Sequence, residues 1–115
     1  MTEKGGVSAG TAILWQRHLE VAWAPKTWIG GRLIEVAFRT AAFGTVVLYS
    51  VYGWTGTGWK EENQSLYNEL CRAVLQHGKP YLVGGDHNMQ VQDFLGNIQR
   101  HLKTAMAVVP NENTC

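Results

Sequence analysis

The stretch PYLVGGDHNMQ, residues 80–90, sets an apolar run against two glycines, an aspartate and an asparagine. Tyr81, Leu82 and Val83 suit a short buried strand, whereas Asp86 and Asn88 disfavour its continuation. The segments before it decide its place in a fold. Residues 60–77, KEENQSLYNELCRAVLQH, have a helical period, with Leu66, Leu70, Ala73, Val74 and His77 along one stripe. Glu61 and Glu62 stand where the helix dipole favours negative charge, and Gly78 and Pro80 supply the stop. Before the helix, TVVLYSVY (residues 45–52) sets Val46 and Leu48 against Val47, Tyr49 and Val51, as expected of a strand covered on both faces. Strand, helix, strand is a crossover unit. It predicts two parallel strands joined by a right-handed connection, with Tyr52 and Asp86 at their carboxyl ends.

Further upstream, RLIEVAFR (residues 32–39) places Ile34, Val36 and Phe38 on one face and a mixture of Arg32, Leu33, Glu35, Ala37 and Arg39 on the other. This pattern predicts a strand buried mainly on the first face. The short connection TAAFG then predicts an antiparallel hairpin with the next strand. TAILWQ (residues 11–16) and LEVAWA (residues 19–24) are strand-like, and Gly30 and Gly31 close the loop after them. The expected fold class is α/β, a mixed sheet with a crossover helix.

Composition narrows the class of function. A chain of 115 residues with 45% hydrophobic residues and a net charge of +1 reads as one soluble domain, not a polybasic nucleic-acid binder. No window approaches the roughly 18 apolar residues of a membrane span, and the start MTEKGGVSAG lacks the order of a signal peptide. An intracellular, membrane-free protein is expected. Cys71 and Cys115 form neither a disulfide framework nor a CxxC, and Cys71 reads as a small buried hydrophobe.

Ligands of open α/β sheets collect beyond the carboxyl ends of the strands. If the backbone stays extended through residues 86–88, Asp86 and Asn88 point to one side and His87 to the other. A carboxylate there can take a proton from water or help hold a divalent cation, and an amide can donate to a phosphate oxygen without adding repulsive charge. Gly84 and Gly85 would let a substrate backbone come close. The residues alone admit a second reading, a polar turn after a strand with Asp86 capping the next segment.

Three segments occur in an order that resembles a known family: SAGTAIL (residues 8–14), LYSVYG (residues 48–53) and GDHN (residues 85–88) after an apolar strand. They are similar to the G-G-V-A-I-L, N-x-Y-x-P and G-D-x-N strands of the endonuclease/exonuclease/phosphatase family. That family includes DNase I, the exonuclease III type abasic-site endonucleases and the endonucleases of non-LTR retrotransposons. The resemblance covers residues 6–90, and MAVVPNENTC at the end adds a weaker match. It implies that residues 1–115 are a partial domain of a DNase I-like two-sheet sandwich, incomplete at both ends. It further implies a phosphodiester hydrolase dependent on Mg²⁺ or Mn²⁺, acting on DNA or RNA, with a retroelement-type endonuclease as the first expectation.

The resemblance also implies roles. Asp86 would polarise the attacking water or protonate the leaving oxygen, Asn88 would orient the scissile phosphate, and Tyr52 would donate to it. The chain departs from the pattern at Trp54, where the family has proline, and at Thr55 after it. His87 fills the wild-card position, and the alternation turns it toward the packing. The family's metal-binding glutamate and its Asp-His pair have no counterpart: His18, His77 and His101 follow Arg17, Gln76 and Arg100, and Glu3 has no strand to place it. The expectation is a fragment holding one edge of an active site, inactive by itself, with unpaired sheet edges open to self-association. The alternatives are a catalytically silent remnant or interaction module, and a phosphatase of the same superfamily acting on a small phosphoester.

Two further features are weighed on chemistry. Trp54 and Trp59 in GWTGTGW could stack on bases, or could cover the sheet edge. Arg100, His101 and Lys103 read as a solvated basic face.

Overall fold

The computed structural model describes residues 11–55, 61–88, 91–100, 102, 105 and 106. Four strands, β1 (Lys26–Trp28), β2 (Leu33–Thr40), β3 (Gly44–Tyr52) and β4 (Tyr81–Asp86), form one sheet in the order β1-β2-β3-β4. The helices are α1 (Glu61–His77), between β3 and β4, and α2 (Val91–Ile98), after β4. β1 and β3 run antiparallel to β2, and β4 runs parallel to β3, so the sheet is mixed and the fold is α/β. Among the described residues no helix is long and apolar enough to cross a membrane.

The hairpin and the crossover are where the sequence places them. β2 and β3 meet from Leu33↔Val51 to Thr40↔Gly44. Their turn is closed by Thr40, whose Oγ1 donates to the Gly44 carbonyl at 2.8 Å and accepts from the Phe43 N–H at 3.0 Å. Gly44 takes φ 68°, the left-handed position that a short hairpin loop assigns to glycine. α1 buries Leu66, Tyr67, Leu70, Cys71, Ala73 and Val74. That stripe packs on Leu33 and Ala37 of β2 and on Val47, Tyr49 and Val51 of β3, with Ile98 and Leu102 closing one end. Burial pushes the Cys71 thiol up to about 11, consistent with an inert core residue.

Three expectations are corrected. Residues 11–16 are not a strand: they cross the sheet face opposite α1, where Thr11 hydrogen-bonds Ser50 and Trp15 meets Phe38 edge-on at 5.6 Å. Residues 19–24 reduce to a single bridge, Val21↔Phe38, on the β2 edge. The chain leaves that edge at Trp23 and rejoins it as β1, which sequence reading missed; Pro25 in between has no N–H to continue a ladder. Finally, the core face of β2 is Leu33 and Ala37, not Ile34, Val36 and Phe38. Val36 and Phe38 are buried as well, on the side crossed by residues 11–16, so β2 is covered on both faces and Ile34 only partly. Residues 8–10, Glu3, Trp59, His101, Lys103, Cys115 and the tail from 107 lie outside the described residues.

Candidate active site

Tyr52 and Asp86 are register partners, the last residues of two adjacent parallel strands, on the face opposite α1. They share that face because the side-chain period of a strand is two. Asp86 is exposed and Tyr52 half-buried.

The two strand ends are tied together immediately beyond this pair. The Gly53 N–H donates to the Asp86 carbonyl at 2.8 Å, and the Asn88 side-chain amide donates to the Gly53 carbonyl at 2.7 Å. Gly53 is obligatory, since a Cβ there would stand 2.3 Å from the His87 carbonyl oxygen. The extended path expected through Asp86, His87 and Asn88 is not taken. The strand stops at Asp86, whose Oδ1 accepts the Asn88 N–H at 3.1 Å, and Asn88 turns into the left-handed region at φ 54°. Asparagine tolerates that conformation better than most residues. Asn88 therefore sits beside Asp86 through a tight turn rather than by strand alternation, with one amide hydrogen committed to Gly53 and the other without a partner among the described residues.

His87 turns to the α1 side. Its Nδ1 hydrogen-bonds the Tyr67 hydroxyl, and its ring stacks on Phe94 of α2 at 4.2 Å. Burial lowers the His87 pKa and the Asp86 charge opposes that, so the lowering is the net effect. Burial, with Asp86 nearby, pushes the Tyr67 phenol well above its usual range. Gly85 is required by a neighbour and not by a ligand: it has φ 128°, and a Cβ there would lie 2.0 Å from the Val51 carbonyl oxygen of β3. Gly84 has open space above it, as expected of a position that admits close approach. A trough of about 510 Å³ runs along this face past Leu48, Leu82, Ser50 and Gly84 to Gly85, next to Asp86.

Two residues join the site that the sequence reading missed. Arg32 lies across from Tyr52, whose N–H donates to the Arg32 carbonyl at 2.8 Å. The Arg32 guanidinium donates to the Tyr52 carbonyl at 3.0 Å and lies 4.8 Å from the Tyr52 ring centroid and 4.0 Å from that of Trp54. Counting the register back from the TAAFG turn would have placed it there. Asn63 is the other: fully buried in the first turns of α1, it accepts the Trp54 N–H at 2.7 Å and donates to the Trp54 carbonyl at 2.9 Å. Trp54 is accordingly half-buried against the core, a packing residue rather than an open stacking surface.

Among the described residues no group of three or more His, Cys, Asp or Glu side chains could hold a metal ion. Asp86 is a single carboxylate at the strand ends, whereas Mg²⁺ takes one or two carboxylates with waters and substrate oxygens in near-octahedral array. The residues present do not by themselves make that site. Comparison with family models, curated proteins and solved structures returns no match.

Proposed function

We propose that this chain carries the phosphate-holding edge of a phosphodiester hydrolase of the DNase I-like sandwich type, acting on nucleic acid. The observation that carries the reading is the pairing of Tyr52 with Asp86 at the ends of adjacent parallel strands, with Asn88 drawn in beside them. In this reading the Tyr52 hydroxyl and the uncommitted Asn88 amide hydrogen donate to non-bridging phosphate oxygens. Asp86 accepts a proton from the attacking water, or returns one to the leaving oxygen. Arg32 adds positive charge behind the Tyr52 ring. A divalent cation would supply Lewis acidity, and the donors that hold it are to be sought beyond Asp86.

Binding can be tested without turnover. Titration of the chain with a short DNA duplex, followed by amide NMR, should move Gly53, Asp86, His87 and Asn88. Without divalent metal the Asp86 carboxylate repels a phosphodiester, so Asp86→Asn should bind the duplex more tightly. Shifts confined to another surface, or an Asp86→Asn variant that binds the duplex no differently, would remove the basis for the reading.

A further inference from the structure

A second cavity, of about 240 Å³, opens on the α1 side of the sheet, away from Tyr52 and Asp86, and is lined by Trp23, Lys26, Trp28, Glu35, Gln76 and His77 among others. At its floor is a carboxylate in the middle of a strand: Glu35 is only 3% exposed. Burying a carboxylate costs several kcal/mol even after relaxation, so a position between Ile34 and Val36 would be better served by a hydrocarbon if only the fold were at stake. Glu35 is held by two donors from outside the sheet. The Trp23 indole donates to Oε2 at 2.9 Å, and His77 Nε2 meets Oε1 at 3.1 Å, with the two rings stacked at 4.6 Å. On the next strand Tyr49 is the register partner of Glu35, and its hydroxyl is buried beside that carboxyl group. Burial, with the Glu35 charge second, pushes that phenol far above its usual range.

The Glu35 carboxyl group therefore lines the cavity. Its cross-strand neighbour Lys26 has its ammonium 4.4 Å from the centroid of the Trp28 ring. Among the described residues the His77 imidazole is the basic side chain that meets the Glu35 carboxyl group, 3.1 Å away. An aromatic face and a buried carboxylate at one cavity are the two elements that recognise an organic cation, and Lys26 already shows the Trp28 face accepting one. We propose that this cavity binds an alkylammonium group between the Trp28 ring and Glu35, in competition with the chain's own Lys26. The proposal is independent of the phosphodiesterase reading.

The test uses the Trp23 indole N–H, which reports on Glu35, and the Trp28 ring protons. The probes are choline chloride and a pentapeptide carrying trimethyllysine, with sodium chloride at equal ionic strength as control. Both probes should shift the two tryptophans saturably, and the tighter one identifies whether a free amine or a lysine side chain is the natural source. Lys26→Gln should tighten binding about two- to fivefold by vacating the ring. Glu35→Gln should abolish binding, and should that variant fail to fold, Trp28→Leu serves in its place. Absence of any shift beyond the salt control, unchanged binding in Glu35→Gln or Trp28→Leu, or weaker binding in Lys26→Gln would each overturn the proposal.

Discussion

Single residues at the ends of β3 and β4 carry constraints that their identity only partly advertises. Gly85 reads in the sequence as room for a ligand, but its φ of 128° and the Val51 carbonyl make it a packing requirement. Gly85→Ala should cost about 3 kcal/mol or more, measured by urea denaturation, because β3 and β4 must part to admit the methyl group. A loss below about 1 kcal/mol would mean that the strands separate easily there. For His87 the sign follows from its lowered pKa. The unfolded chain takes up the proton first, so the contribution is intact above the ordinary value of 6.5 and is lost as pH falls through the lower folded value. Melting temperature should therefore drop between about pH 7 and pH 5 in the wild type, and drop less in His87→Phe. The inward side of His87 is the one alternation predicts, although the strand ends one residue before it. The conformation of Asn88 was not legible, since the turn depends on a hydrogen bond between Asp86 and the Asn88 backbone that no periodicity encodes.

At the level of elements, the crossover was legible because α1 and its flanking strands each have an unambiguous period and a marked stop. β1 is three residues long and α2 only eight, with Gly96 inside it, so neither offers a period long enough to read. Residues 11–16 carry strand-like composition, but their backbone spends itself on crossing the sheet and not on pairing with it. The join between β3 and α1 depends on Asn63, which satisfies both backbone groups of Trp54 in a buried setting. Asn63→Ala should cost about 2 to 4 kcal/mol, since two buried backbone groups lose their partners together. Asn63→Asp should restore only the bond to the N–H. Chemical denaturation of the three proteins checks this order, and equal stability of the two variants would show that the bond from the Trp54 N–H contributes nothing.

Across the whole molecule the sheet is unevenly covered. One face lies under α1, while among the described residues the other is crossed by residues 11–16 in the region of Ser50 and Phe38. Leu82 on β4 is 62% exposed, and β4 has no outer neighbour among the described residues. An apolar edge of this kind invites pairing with another chain. Size-exclusion chromatography should show concentration-dependent self-association that Leu82→Lys reduces, whereas a monodisperse monomer at high concentration would mean that the face is closed by other means. The hydrogen bond from Gly53 to Asp86 has a consequence on a slower clock. An amide just past a strand would ordinarily trade its proton with solvent deuterium early, as fraying loops do. Here that proton is held by the neighbouring strand in a spot too tight for a side chain, so it can leave only when β3 and β4 come apart. Gly53 should exchange with the slowest strand amides and not with its loop, making one backbone proton a gauge of how often the whole sheet opens.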